Sequence, residues 1–217
     1  MRYLEILDNG TKVHTSREIR FTEDPLLLAR FCRHAPDDTC LDIGCGCGMI
    51  VLWLYDRGLR GTSVAIDISE EAVALTKAGI SDSGATCINA ELADAREYSG
   101  GPFTLAVCNP PYFKNSSGAV SPSAYRSKAR SDITLGLADM AKCAERNLRE
   151  GGRLCFCIPP ARYDDALEAL RLYGFGISRM ERVFGTGAAD APRLLLIEAV
   201  KGYDGLPVIT ENKEVMR

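Results

Sequence analysis

TCLDIGCGCGMIVLWL, residues 39–54, joins a short apolar run, three alternating glycines and a longer apolar segment. Residues 39–43 have the length and β-branched character of a buried strand, and the segment from Met49 onward has the length of a buried helix. Glycines let the chain turn tightly and bring backbone N–H groups close to a ligand. The stretch therefore predicts a strand, a glycine turn and a helix, the unit with which an α/β ligand-binding fold begins.

A carboxylate ends the next predicted strand, about 20 residues further on. Residues 62–67 read TSVAID and finish at Asp67. An acidic side chain at that place in a nucleotide-binding α/β fold binds ribose hydroxyls. The nicotinamide fingerprint Gly-x-Gly-x-x-Gly requires a third glycine at position 49, where this chain has Met49. The glycine spacing therefore favours a nucleoside ligand other than a dinucleotide.

The most informative functional feature is FTLAVCNPPY, residues 103–112. Residues 103–108 predict a buried strand, so Asn109, Pro110, Pro111 and Tyr112 lie at its C-terminal end, where open α/β sheets bind ligands. Asn109 and the Pro110 carbonyl can accept the two hydrogens of an exocyclic amine, and Tyr112 can stack on the ring that carries it. Asn-Pro-Pro is also an ordinary turn sequence, so this motif alone leaves both interpretations open.

Taken together, these motifs resemble Rossmann-like class I methyltransferases that use S-adenosyl-L-methionine. The glycine loop preceded by Asp42 resembles their nucleoside-binding loop, and Asn-Pro-Pro-Tyr resembles the motif of enzymes that methylate planar, conjugated nitrogens. Asp94, which on sequence alone is equally a helix cap, becomes an acceptor for the adenine amine of the cofactor. The cofactor-binding residues that the resemblance implies are Asp42, Gly44, Gly46, Gly48, Asp67, Ile68, Asp94, Ala95 and Asn109.

Further segments resemble one branch, the tRNA1(Val) adenine-N6-methyltransferase family. They are FTEDPLLLARF at 21–31, YFK at 112–114, ARSD at 129–132 and PRLLL at 192–196. The resemblance, which runs from about 21 to about 202, implies a seven-stranded, mostly parallel sheet with an antiparallel last strand and helices on both faces. It also implies methyl transfer to the exocyclic amine of an adenine in RNA, with a tRNA anticodon loop favoured. Cys45 and Cys47 depart from the pattern, because other small residues are commoner there.

Three alternatives stay open. Glutamine N5-methyltransferases acting on release factors use the same four residues but carry an N-terminal helical domain, whereas about 38 residues precede the first predicted strand here. Guanine N2-methyltransferases acting on rRNA also share the motif. A non-catalytic scaffold that binds S-adenosylmethionine belongs to a different class, and the intact motifs argue against it.

Charge placement carries more information than the net charge of −3. No acidic residue lies between Lys114 and Asp132, and this stretch follows the Asn-Pro-Pro-Tyr motif directly. A solvated loop would explain it, but its position favours contacts with substrate phosphates. The candidate RNA-binding residues are Lys114, Arg126, Lys128 and Arg130.

Length and composition predict a single main domain. The chain has 217 residues, of which 46% are hydrophobic, and a methyltransferase domain is expected over 21–202. Asp8-Asn9-Gly10 is a hairpin signal that predicts a small N-terminal β appendage over 1–20, and 203–217 is expected to be a C-terminal tail. The oligomeric state is left open.

Nine cysteines, an odd number with several inside predicted strands, indicate reduced thiols and a cytoplasmic location. Their spacings match no common zinc motif, so no metal is expected. No apolar run is long enough to span a membrane, and the N-terminus lacks the apolar core of a signal peptide.

Overall fold

The computed structural model describes residues 2–110, 135–185 and 191–213. The strands in these ranges are β1 (Arg2–Ile6), β2 (Lys12–Ser16), β3 (Cys40–Ile43), β4 (Ser63–Asp67), β5 (Ile88–Leu92), β6 (Phe103–Cys108), β7 (Leu148–Ile158), β8 (Phe175–Val183), β9 (Leu194–Lys201) and β10 (Val208–Asn212). The helices are α1 (Glu23–Phe31), α2 (Met49–Asp56), α3 (Glu70–Ser83), α4 (Leu137–Asn147) and α5 (Tyr163–Leu172), with a 3-10 turn at Pro160–Arg162.

One mostly parallel sheet organises the described chain, in the strand order β10-β8-β9-β7-β6-β3-β4-β5. The strands β5, β4, β3, β6 and β7 are parallel neighbours, whereas β9 runs antiparallel to β7 and to β8. All seven predicted strands are present, and the predicted antiparallel last strand is β9.

The C-terminal tail requires a correction to the strand count. Val208–Asn212, predicted to be part of a tail, pairs in parallel with β8 and becomes an eighth strand at the edge of the sheet. Most of its side chains are exposed, so the alternation of apolar and polar residues that reveals a half-buried strand is weak there. The division of the chain into domains stays a prediction.

The sheet carries helices on both faces, as predicted. Side chains alternate along each strand, so neighbouring residues point to opposite faces. Leu41 and Ile43 pack with α4 and α5 in one buried cluster, whereas Cys40 packs with α1 and α2 in another. Because β3 is buried on both faces, its sequence is a continuous apolar run interrupted only by Asp42.

An antiparallel hairpin of β1 and β2 docks beside the sheet. The backbone N–H of Thr11 donates to Asp56 at the end of α2 (3.2 Å), and that of Lys12 donates to Ser83 at the end of α3 (2.8 Å). The segment after β2 buries Ile19 in one cluster with Cys45 and Cys47 of the glycine loop. The hairpin therefore supports the glycine loop from outside the sheet.

All nine cysteines lie in the described ranges and are free thiols, eight of them buried. Among the described residues, no helix has the length and apolar character needed to cross a membrane.

Candidate active site

The predicted site residues follow strands that end at one edge of the sheet. Ile43 at the end of β3 pairs with Ile66 of β4 on one side and with Cys108 of β6 on the other. Asp67, the last residue of β4, pairs with Leu92 at the end of β5. The chain moves from β3 outward to β4 and β5, then returns to place β6 on the other side of β3. This reversal is the switch point at which open α/β sheets bind ligands.

The glycine loop is fixed by its own backbone. The N–H groups of Gly44 and Cys45 both donate to the Ile66 carbonyl, at 2.9 and 3.0 Å. Gly44, Gly46 and Gly48 have φ values of 71°, 57° and 73°, in the left-handed region that favours glycine.

Two of these glycines face different surroundings. A Cβ on Gly48 would lie 2.7 Å from Thr76 Cγ2, whereas a Cβ on Gly44 would meet no described atom within 4 Å. Thr76 also donates its hydroxyl hydrogen to the Gly46 carbonyl, at 3.2 Å. Gly48 is therefore required for packing against α3, while the space in front of Gly44 is open to a ligand.

Asp67 is oriented by two backbone hydrogen bonds. Its Oδ2 accepts from the N–H of Gly46, and its Oδ1 accepts from the N–H of Ser69, both at 2.9 Å. Burial raises the pKa of the Asp67 carboxyl, and the N–H groups of Gly46, Ser69 and Ile68 oppose that rise. Each carboxylate oxygen keeps a lone pair for a further donor.

The start of α3 completes this corner. The Ser69 hydroxyl accepts from the Ala72 N–H at 3.3 Å and so caps the N-terminus of α3. Ile68 leaves about half of its side chain exposed, toward the same opening that Asp67 lines.

Asp42 is a buried carboxyl with one unsatisfied oxygen. Its Oδ2 accepts from the Val51 N–H at 3.3 Å, but its Oδ1 has no hydrogen-bond partner among the described residues. Burial is the main cause that raises the pKa of Asp42 to about 7, and the nearby Asp67 charge adds to it. A buried polar atom without a partner costs free energy, so it marks a place where a donor from a ligand is favourable.

A pocket lies between the ends of β4 and β5. It contains the predicted residues Gly44, Asp67, Ile68, Asp94 and Ala95. The neighbouring residues that complete it, which the motifs did not indicate, are Ile66, Ala93, Arg96 and Leu135.

Asp94 is held by its neighbour Arg96. The guanidinium donates through Nε to Oδ1 at 3.0 Å and through Nη2 to Oδ2 at 2.5 Å, and the Arg96 backbone N–H donates to Oδ1 at 2.9 Å. These bonds hold the pKa of the Asp94 carboxyl below its ordinary value. The spacing of two residues is the only sequence signal that could have indicated Arg96.

Asn109 follows β6 directly and faces β7. Its Oδ1 accepts a hydrogen bond from the Cys157 thiol, with 3.1 Å between Sγ and Oδ1. Pro110 is buried beside it. The other catalytic and RNA-binding predictions, Pro111, Tyr112, Lys114, Arg126, Lys128 and Arg130, lie outside the described residues. No local sequence pattern connects Cys157 with Asn109, because the two residues are 48 positions apart.

The two loop cysteines are packing residues in this geometry. Cys45 and Cys47 are both buried, and burial raises the pKa of each thiol, to about 11 for Cys47. Their reactive thiolate forms are therefore disfavoured near neutral pH. Across residues 2–110, 135–185 and 191–213, no group of His, Cys, Asp and Glu side chains could hold a metal ion.

Two solved methyltransferase structures share the fold of this chain. A predicted O-methyltransferase from Agrobacterium tumefaciens superposes with a TM-score of 0.68 at 18% identity, covering 87% of this chain and 85% of that one. A ribosomal protein L11 methylase from Lactobacillus delbrueckii subsp. bulgaricus gives 0.57 at 19% identity, covering 82% and 77%. The fold, with its site at the strand edge, is that of a Rossmann-like class I methyltransferase.

Sequence similarity assigns the chain to a smaller group of proteins than its fold does. The family model described as the methyltransferase small domain matches residues 22–170. A protein of Shewanella amazonensis named tRNA1(Val) (adenine(37)-N6)-methyltransferase is 30% identical over 83% of this chain and 78% of its own length. The chain belongs to the methyltransferase small domain family, and its relatives include proteins named tRNA1(Val) (adenine(37)-N6)-methyltransferase.

Other relatives of the same name are longer than the matched region. Those of Dickeya chrysanthemi and Escherichia coli are 33% and 29% identical, and the match spans 62% and 61% of their lengths. The resemblance found in the sequence is thereby confirmed, and the chain is a methyltransferase.

Proposed function

We propose that this chain transfers a methyl group from S-adenosylmethionine to the exocyclic amine of an adenine in RNA, with a tRNA anticodon loop as the favoured site. The observation that carries the proposal is the pairing of Ile43 with Cys108. It places the glycine loop and Asn109 side by side at the ends of adjacent strands. A nucleoside cofactor bound at the glycine loop and an amine bound by Asn109 would therefore lie next to each other.

The residues present fit the cofactor. Asp67 is oriented to accept from the two ribose hydroxyls, and Asp94 with Ala95 lines the pocket that would take the adenine ring. The open space at Gly44 lets a ligand approach the backbone closely. The unsatisfied Oδ1 of Asp42 gives an acceptor to a cationic ligand. These are the groups that a positively charged nucleoside needs.

The bound cofactor supplies a methyl group that its sulfonium has already activated. The chain has to orient a weak nucleophile, because the lone pair of an adenine amine is delocalised into the ring. Asn109 and the Pro110 carbonyl would accept the two amine hydrogens and so direct the nitrogen lone pair at the methyl carbon. Alignment of this kind can lower a barrier by up to about 7–11 kcal/mol. Tyr112 would stack on the base, worth about 1–3 kcal/mol.

An RNA substrate is supported by the names of the relatives and by chemistry. A base in an unpaired loop costs less to extrude than a base in a duplex, which favours an anticodon loop. The basic residues between Lys114 and Arg130 would contact phosphates. Free thiols at all nine cysteines support a reducing, cytoplasmic compartment.

The test is methyl transfer from isotope-labelled S-adenosylmethionine, offered in parallel to unmodified tRNA and to a release factor. Nucleosides from the digested RNA are then identified by mass spectrometry. We expect labelled N6-methyladenosine from the tRNA and no label in the protein. Label in the release factor alone, or in N2-methylguanosine, would overturn the assignment.

The contribution of the basic segment can be tested separately. A variant with both Arg126→Gln and Lys128→Gln should bind tRNA more weakly. The slope of the logarithm of its binding constant against the logarithm of the salt concentration should become shallower. The change should be roughly 0.7 for each single-strand phosphate that the variant no longer neutralises. Its affinity for S-adenosylmethionine should not change. Equal slopes for the variant and the wild type would mean that the segment does not contact phosphates.

A further inference from the structure

We propose that Cys157 is a positioning residue for methyl transfer, acting by orienting the side-chain amide of Asn109. The inference rests on the proposed function, because it assigns to Asn109 the role of accepting from the substrate amine. The thiol hydrogen favours the orientation in which the amide oxygen of Asn109, and not its nitrogen, faces the substrate amine.

The sheet brings the two side chains together. β6 and β7 are parallel neighbours in which Cys108 pairs with Phe156, so Asn109 and Cys157 each lie one residue further along. Cys157 is fully buried, and its Sγ lies 3.1 Å from Asn109 Oδ1. A thiol is a weak donor in water, but a hydrogen bond is electrostatically stronger in a buried, low-dielectric setting.

The orientation of the amide decides whether the site can accept an amine. The oxygen and the nitrogen of an Asn side chain occupy nearly the same space, but the oxygen accepts and the nitrogen donates. An exocyclic amine presents hydrogens, so it requires the oxygen. The Cys157 S–H donates to Asn109 Oδ1, and an amide oxygen has two lone pairs, so it can accept from more than one donor. Replacing Cys157 removes a contact that favours the oxygen at this place over the NH2 group, which would face the hydrogens of the substrate amine as a second donor.

The same strand contains a matched control, Cys155. It lies two residues before Cys157, on the same face of β7, and it is equally buried. Its thiol is directed elsewhere, with Sγ 3.9 Å from Glu198 Oε2. Replacement of Cys155 therefore reproduces the loss of a buried thiol from this strand without changing the contact with Asn109.

The test compares kcat and KM for tRNA methylation. We expect Cys157→Ala to lower kcat roughly five- to tenfold, the size of one hydrogen bond, with KM for S-adenosylmethionine unchanged. Cys157→Ser, which keeps a hydrogen donor, should recover kcat to within about threefold of the wild type. Cys155→Ala should keep the wild-type kcat. If Cys157→Ala does not fold, Cys157→Val removes the donor while filling the space.

A double-mutant cycle separates orientation from general packing. If Cys157 acts through Asn109, Cys157→Ala should cause no further loss of kcat in an Asn109→Ala background. Equal kcat for Cys157→Ala and the wild type would overturn the inference and leave the proposed function intact. A loss of kcat in Cys155→Ala as large as that in Cys157→Ala would also overturn the inference and leave the proposed function intact. A folded wild type that methylates no adenine would overturn both the proposed function and the inference.

Discussion

The two halves of the strand edge are built differently. The nucleoside half, made of Gly44, Gly46, Gly48 and Asp67, is held by hydrogen bonds to backbone N–H and carbonyl groups. The acceptor half, made of Asn109 and Cys157, contains a hydrogen bond between two side chains. A geometry fixed by the backbone survives the replacement of most side chains, whereas a bond between side chains disappears when either partner is replaced. Substitutions in the nucleoside half should therefore change mainly the affinity for the cofactor, and substitutions in the acceptor half should change mainly the turnover.

The largest expected effect follows from Asn109→Ala, which removes the acceptor half alone. We predict that kcat falls roughly a hundred- to thousandfold, the range seen when one group that stabilises a transition state is removed. The dissociation constant for S-adenosylmethionine, measured by calorimetry, should stay near that of the wild type. Near-normal turnover of the variant would contradict the role of Asn109 in accepting the substrate amine. A large loss of cofactor affinity would mean that Asn109 contributes to the nucleoside half.

Asp67→Ala tests the nucleoside half. The carboxylate is expected to accept two ribose hydroxyls, and charge-assisted hydrogen bonds contribute about 1.5–3 kcal/mol. The dissociation constant for S-adenosylmethionine should therefore rise by one to two orders of magnitude. Asp67→Asn is the matched control for shape, and circular dichroism checks that each variant is folded. An unchanged dissociation constant in a folded Asp67→Ala protein would remove Asp67 from the site.

The same difference explains how far the sequence could be interpreted. The glycine loop and Asp67 were predictable because they are local patterns, each fixed within a few residues of a strand end. The hydrogen bond between Cys157 and Asn109 spans 48 residues of sequence and depends on the register of β6 against β7. The strand at Val208–Asn212 was missed for a similar reason. Its pairing with β8 is a contact between separate segments of the chain, and its mostly exposed side chains lack the alternating pattern of a half-buried strand.

A pair of glycine variants tests how tightly the loop is packed. Gly44 and Gly48 have nearly equal φ values, so replacement by Ala costs each a similar backbone strain. Only Gly48→Ala also forces a Cβ against Thr76. We predict that Gly48→Ala lowers the free energy of unfolding by about 1–3 kcal/mol more than Gly44→Ala does. Urea denaturation measures both, and equal losses would mean that Thr76 moves aside freely.

Asp42 lies in β3, two residues before Gly44, and makes the stability of the fold depend on pH. Its pKa in the folded protein is about 7, against about 3.9 for an unperturbed Asp. Between these values the unfolded chain has lost the proton and the folded chain has kept it. Because the folded state then binds more protons than the unfolded state, the contribution of Asp42 to stability decreases as pH rises.

Asp42→Asn should remove this dependence, since Asn is neutral at every pH and can still accept from the Val51 N–H through its oxygen. We expect the free energy of unfolding of the wild type, relative to that of Asp42→Asn, to fall between about pH 4 and pH 7 and to level off above pH 7. The slope should not exceed about 1.4 kcal/mol per pH unit, the limit for one proton. Urea denaturation across this pH range measures the difference. Parallel profiles for the two proteins would mean that Asp42 is already ionised in the fold. Saturating S-adenosylmethionine should flatten the wild-type profile, because a cation beside Asp42 favours the carboxylate and lowers its pKa.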